Sequence, residues 1–370
     1  MNIKQLGLLF GLMGVVTSTY AAEGREKDKS HNDKSQMQDC KSLCFAGPHL
    51  EDDYCVEVMA AAIYEQVAVQ SATIAVGTNS TTNELWLIGG KGVEPTETTS
   101  WGFKVGAAWK TCHDDWKFGA RYTWLKATTT STNIPIPNSG GGVFPTQNAT
   151  QLLTNLSGAI FSFQDLQSGN YTQLNTLNIY LMRPTLQTAL LEVSPYFGID
   201  VAVTRRRQTS VFTNDNTAPF PQRYINGGYY EVWDNNSFWG VGPMIGLETN
   251  WYVGYGIGIY ADGYGALTFG QAKSYSQNFS KIPTATTPDN SAQVSHSMYQ
   301  FSPEVNMQLG LSWSDNFNED RGAITLRLGY EAAYYFQANK TLINSTSSYG
   351  VTNGSGIGTQ GLVLACQFDF

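Results

Sequence analysis

The chain has 370 residues, of which 42% are hydrophobic and only 14% charged, a composition too apolar for a disordered protein. Its formal net charge of −8 argues against nucleic acid as a partner. The mean hydropathy is nonetheless −0.24, as expected if half of each strand meets lipid and half meets water.

At the start of the chain, Lys4 precedes an apolar run over 6–16 and a small-residue stretch over 17–22. This pattern predicts a secretory signal peptide over 1–22, whose apolar run is shorter than the ~20 residues of a spanning helix. No later segment supplies such a run, so a membrane-embedded form of this chain is expected to be a barrel. Residues 23–55 predict a polar periplasmic segment that carries Cys40, Cys44 and Cys55. In an oxidising compartment these three predict one disulfide among them and one thiol left over. Their grouping with His49 suggests zinc, but a C-x3-C, a His and a third Cys match no strong zinc spacing.

Residues 56–370 predict a single all-β domain, an antiparallel transmembrane β-barrel of about ten strands with short periplasmic turns and long extracellular loops. Strand-like segments fall at 55–76, 100–110, 115–127, 171–182, 189–204, 238–249, 252–270, 297–313, 323–337 and 359–370. The first contains Ala60, Ala61 and Ala62 and suits a helix as well as a strand. The clearest are 101–109 and 116–124, which alternate strictly between apolar and polar residues and begin and end with tryptophan. Eight residues at ~3.3 Å each, tilted by ~40°, rise about 20 Å, close to the ~25 Å apolar band of such barrels. The tryptophans then stand where interfacial aromatic girdles belong. Long connections at 77–99, 128–170, 205–237, 271–296 and 338–358 alternate with short ones near 113, 183–188, 250–251 and 314–322. A further hairpin within 152–163 would raise the count to twelve.

Alternation also assigns faces. Inward, and therefore candidates to line a pore, are Lys104, Arg121 and Arg327 against Glu192, Asp200, Glu248, Asp262, Glu304 and Glu331. Such charges either bias ion selectivity, with the acidic excess favouring cations, or pair with one another and fill the barrel. Inward glycines at Gly102, Gly106, Gly119, Gly254, Gly256 and Gly258 widen the lumen or make room for a plug. Width is the main objection to a pore, because about eight strands leave an interior filled by side chains whereas 16 to 18 leave a channel.

On the last strand Phe370, Phe368 and Leu364 share one face with Cys366, and a terminal aromatic there resembles the signal read by the outer-membrane assembly machinery. Cys112, in a periplasmic turn, is placed to cross-link a neighbour, which leaves a homo-oligomer open. Catalysis is not expected. His113 is followed by Asp114 and Asp115 on a tight turn whose side chains diverge, and His296 and Asp289 fall in an external loop. No cofactor or metal is expected.

Three segments resemble the Legionella-type major outer membrane protein family, pore-forming proteins also found in chlamydia-like bacteria. They are 101–125 (WGFKVGAAWKTCHDDWKFGARYTWL), 238–270 (FWGVGPMIGLETNWYVGYGIGIYADGYGALTFG) and 183–199 (RPTLQTALLEVSPYFGI). The resemblance covers most of the chain after about Val56. It implies an outer-membrane barrel that lets small hydrophilic solutes diffuse through, with outer-membrane lipid, the assembly machinery and the solutes as partners. The alternative reading is a structural or adhesive surface barrel without significant conductance.

Overall fold

Alternation of apolar and polar residues builds strands with one dry and one wet face, and such strands survive in lipid only if every backbone group is paired. The computed structural model describes residues 56–69, 75–78, 91–93, 98–111, 116–135, 142–145, 163, 165–188, 190–213, 228–281, 290–317, 322–345 and 348–370. Eleven strands share one sheet, and setting aside the two-residue strand Leu186–Gln187 leaves ten. These are β1 (Val56–Val69), β2 (Thr98–Lys110), β3 (Lys117–Pro135), β4 (Asp165–Met182), β5 (Leu191–Thr213), β6 (Tyr229–Gly254), β7 (Ile257–Lys281), β8 (Asn290–Phe317), β9 (Gly322–Ser345) and β10 (Ser348–Asp369). Each pairs antiparallel with the next, and β1 pairs with β10, closing the sheet on itself. Closure leaves no open edge in the barrel wall, although among the described residues β8 before Glu304 pairs with β7 alone, and Val56 and Phe370 exchange backbone hydrogen bonds where the two ends of the barrel meet. A separate three-stranded sheet joins Ala75–Thr78, Lys91–Val93 and Gly142–Pro145.

The run around Ala60 to Ala62 is strand, because Ala61 and Ile63 face the interior while Val58 and Tyr64 face out. The outward faces carry Trp101, Phe103, Val105 and Trp109 on β2, and Phe301, Leu309, Leu311 and Trp313 on β8, all exposed. Phe368, Phe370 and Leu364 are outward too, and the first two stack at 6.2 Å.

The strands outrun the membrane. β6, β7 and β8 contain 26, 25 and 28 residues, against the ~9–11 that a tilted strand needs to cross. Much of what reads as loop in 205–237, 271–296 and 338–358 is therefore a continued ladder. β5 runs to Thr213, β7 to Lys281, and β9 and β10 stay paired as far as Ser345 and Ser348. Beyond the bilayer both faces meet water, so Ser, Thr and Asn replace the apolar alternation while the backbone pairing continues.

One turn is displaced from its expected place. The chain reverses at Tyr255 and Gly256 rather than near 250–251, and Tyr252 belongs to β6. Both turn residues have left-handed backbones, φ 55° and 75°, the requirement of a type I′ hairpin whose twist matches the strands it joins. Gly254, at the end of β6, and Gly256, in the turn, therefore lie at the rim and add no width to the lumen. The expected signal peptide, the segment with Cys40, Cys44, Cys55 and His49, the turn residues Cys112 to Asp115, and the extra hairpin apart from Phe163 lie outside the described residues.

Candidate functional site: the barrel interior

Every second residue of a strand points into the barrel, so parity alone carries the nine candidate charges inward. All nine face the interior, and the three cations each meet a carboxylate from a different strand. Lys104 of β2 pairs with Glu331 of β9, which also accepts a 2.6 Å hydrogen bond from Asn306 Nδ2 of β8. Arg121 of β3 reaches across to Asp262 of β7, Nη1 to Oδ2 at 2.7 Å, and the Tyr196 hydroxyl of β5 donates to the other oxygen at 2.7 Å. Arg327 of β9 meets Glu248 of β6, Nη2 to Oε1 at 2.8 Å. A fourth pair, Lys117 of β3 with Glu57 of β1, was not anticipated, although both residues have inward parity.

The remaining candidate acids take neutral donors. Asn178 donates to Asp200 at 2.7 Å, and Tyr264 donates to Glu304 at 2.7 Å. Glu192 accepts from Ser194 and from Tyr252, each at 3.3 Å. Asp200 is 0% and Glu304 2% exposed, and their carboxyl groups lie within hydrogen-bond reach of each other, with Tyr335 also beside Glu304 and Thr359 beside Glu65. A buried carboxylate oxygen without a donor costs several kcal/mol unless water reaches it, roughly the desolvation penalty of the group. Two carboxyl groups in contact are relieved by a shared proton or by water.

Several inward glycines seat neighbouring side chains instead of opening the lumen. A Cβ on Gly119 would strike the Tyr180 ring, and one on Gly246 the Tyr196 ring. The two rings pack at 5.6 Å, and the Arg121 guanidinium lies 5.9 Å from the centre of Tyr180. Gly310 and Gly329 likewise border Tyr260, over which Arg327 sits at 5.2 Å. The expectation that Gly102 widens the lumen fails for the same reason, since Ile63 occupies its space. Between these rings Arg121, Asn178, Tyr180, Met182, Tyr196, Met244 and Tyr264 close in on one another and leave no room even for a water molecule.

The lining is uneven around the barrel. On the side built by β9, β10, β1, β3 and β4, an apolar cluster projects inward and includes Ile63, Val67, Leu125, Leu174, Tyr335 and Ile357. Towards the end away from the termini, Phe163, Phe212 and Tyr230 pack together with ring centres 5.5 to 6.1 Å apart. Among the described residues no group of three His, Cys, Asp or Glu side chains is placed to hold a metal ion, and His296 is exposed on β8. The interior is narrow and charged: four cations meet carboxylates, Arg206 of β5 is buried against the side-chain oxygens of Asn170 and Gln208 instead, and the candidate acids outnumber the candidate cations.

A family model described as Legionella pneumophila major outer membrane protein precursor matches residues 48–370. No curated protein sequence matches the chain. Among solved structures, the outer membrane protease OmpT from Escherichia coli aligns over 87% of this chain and 98% of its own, at 8% identity and a TM-score of 0.39. A Pseudomonas aeruginosa FadL homologue aligns over 89% and 93% at 7% identity and TM-score 0.23. The attachment invasion locus protein Ail of Yersinia pestis aligns over 85% and 99% at 8% identity and TM-score 0.20. Likenesses this weak carry no argument about activity.

Proposed function

The chain belongs to the Legionella pneumophila major outer membrane protein family, and from that premise we propose that it forms a narrow pore through which small hydrophilic solutes diffuse. The observation that carries this reading is the polar interior of the barrel, where Asp200 and Glu304 bury carboxyl groups whose hydrogen-bond donors are neutral. A barrel serving only as a wall has no need of such groups. Lys104, Arg121 and Arg327 are cancelled by their partners, while Glu192, Asp200 and Glu304 keep neutral donors, so the surplus field favours small cations. Ten strands lie near the closed end of barrel sizes, and the ion pairs and rings narrow the path further, so conductance is expected to be small. Purified full-length protein in a planar bilayer should give reproducible small single-channel steps, with a reversal potential in a salt gradient shifted towards that of the cation. A silent bilayer would sink the proposal. It would favour the second reading, a structural or adhesive surface barrel, which is supported by the apolar cluster within the barrel and by strands that continue far past the bilayer.

A further inference from the structure

Outside the barrel, charged side chains are expensive in lipid and appear only where the apolar stretch of a strand ends. On β3, β5 and β7 the first charge past that stretch is basic in every case. Lys126 follows outward Trp124, Arg205 follows outward Val203, and Lys273 follows outward Phe269 and Gln271. The register brings them side by side. Lys126 is opposite Gln173 of β4, Gln173 is opposite Arg205, Arg205 is opposite Ser237 of β6, and Ser237 is opposite Lys273. At ~4.8 Å per strand, neighbouring cations in this row stand about 10 Å apart. The next outward row adds Arg207, flanked by Tyr171 and Asn235.

All four basic side chains are exposed, and no carboxylate occupies either row. Among the described residues Arg205, Arg207 and Lys273 make no ion pair, while Lys126 lies 5.4 Å from the centre of the Tyr171 ring. The patch stands out on a chain whose net charge is −8. It is also on the half of the barrel away from the termini and the tight turns, which is the external half of an outer-membrane barrel. Amide and hydroxyl groups of Gln173, Asn235 and Ser237 lie between the cations and supply hydrogen bonds of the kind phosphate oxygens accept.

We propose that Lys126, Arg205, Arg207 and Lys273 form a docking surface for the phosphorylated headgroup of an outer-leaflet glycolipid. A lipid is the occupant that fits because the cations begin where the lipid-facing residues end: acyl chains meet Val203 and Phe269 while the headgroup phosphates meet the row above. The aromatic Trp124 and Trp239 of the adjoining row sit where interfacial rings anchor a barrel. Lys and Arg near an anionic lipid surface each add to its attraction, so several acting together should bind selectively.

The test uses purified full-length protein in neutral detergent micelles with bis-phosphorylated lipid A as the probe and phosphatidylcholine as the zwitterionic control, bound lipid being counted by native mass spectrometry. The wild type should retain lipid A in preference to phosphatidylcholine. The combined variant K126Q, R205Q, R207Q, K273Q should retain lipid A at least about tenfold less, with phosphatidylcholine unchanged. All four side chains are exposed, and heat-modifiable gel mobility confirms that the variant is folded. R183Q, an exposed charge at the opposite end of the barrel, should leave lipid A retention unaltered. Equal retention by the fourfold variant would overturn the assignment, as would equal retention of the two lipids by the wild type. Displacement of lipid A by an equal concentration of inorganic phosphate would show an anion site rather than a lipid site, and would overturn it too.

Discussion

Lys104 and Glu331 show what a residue can and cannot announce. Each is inward by simple alternation, and that much is legible in the sequence. Their partnership is not, because they are 227 positions apart and are brought together only when β1 and β10 close the barrel between β2 and β9. The same holds for Arg121 with Asp262 and Arg327 with Glu248, whose meeting depends on the stagger of the strands. The inward glycines were misjudged for a related reason: a missing side chain is legible, but the Tyr180 and Tyr196 rings that lie over Gly119 and Gly246 come from neighbouring strands. Buried pairs also differ sharply in what happens when one or both partners are removed. Glu331→Ala would strand both the Lys104 ammonium and the Asn306 amide that donate to it. It should cost about 3–5 kcal/mol in urea unfolding of the detergent-folded barrel, less in proportion to the water that reaches the site. The double variant Lys104→Met, Glu331→Leu should recover part of that loss, because the paired charges go together, while Glu65 loses the Lys104 charge near it and the Asn306 amide stays unpaired. A double variant no more stable than Glu331→Ala would show that the pair contributes through its shape and hydrogen bonds rather than through charge balance.

At the scale of elements, the strands in the bilayer were legible and their extensions were not. Trp101 to Trp109 and Phe301 to Trp313 alternate because lipid penalises any polar outward residue, so the pattern is enforced residue by residue. Past the bilayer this penalty vanishes, and β7 continues through Ser274, Ser276 and Asn278 to Lys281 with nothing in the composition to mark it as strand. The hairpin between β6 and β7 was misplaced for the opposite reason, since Asn250 offers a turn residue while the actual turn uses a tyrosine at φ 55°. Gly256 is what makes that turn possible. Its φ is 75°, and a Cβ there would run into the backbone carbonyl of Ser314, across from it on β8. Gly256→Val should therefore destabilise the barrel by about 2 kcal/mol or more, from left-handed strain together with the clash. Gly254→Ala, whose added methyl meets open space, keeps the backbone strain at φ 129° and lacks the clash. Equal losses at the two positions would mean that backbone conformation alone sets the cost.

For the whole molecule, the way the strands close fixes both orientation and contents. Even strand number brings Val56 and Phe370 to one rim, and that rim also holds Thr111 bonded to Trp116, Thr188 bonded to Leu191 and the turn at Tyr255 and Gly256. Outer-membrane barrels keep their short turns in the periplasm, so the rim with Thr213, Tyr229 and Lys281 should face outward. The lipid patch depends on this orientation, which can be tested without measuring lipid binding. In a background lacking the native cysteines, Lys281→Cys and Tyr255→Cys are each conservative in folding terms, since both side chains are exposed, Tyr255 fully so. A membrane-impermeant maleimide added to intact cells should label the variant at 281 and spare the variant at 255, which should react only after the outer membrane is permeabilised. Labelling at 255 from outside would invert the barrel. It would move Lys126, Arg205, Arg207 and Lys273 to the periplasmic leaflet, away from the glycolipid they are proposed to hold, while leaving the ion-paired interior as it stands.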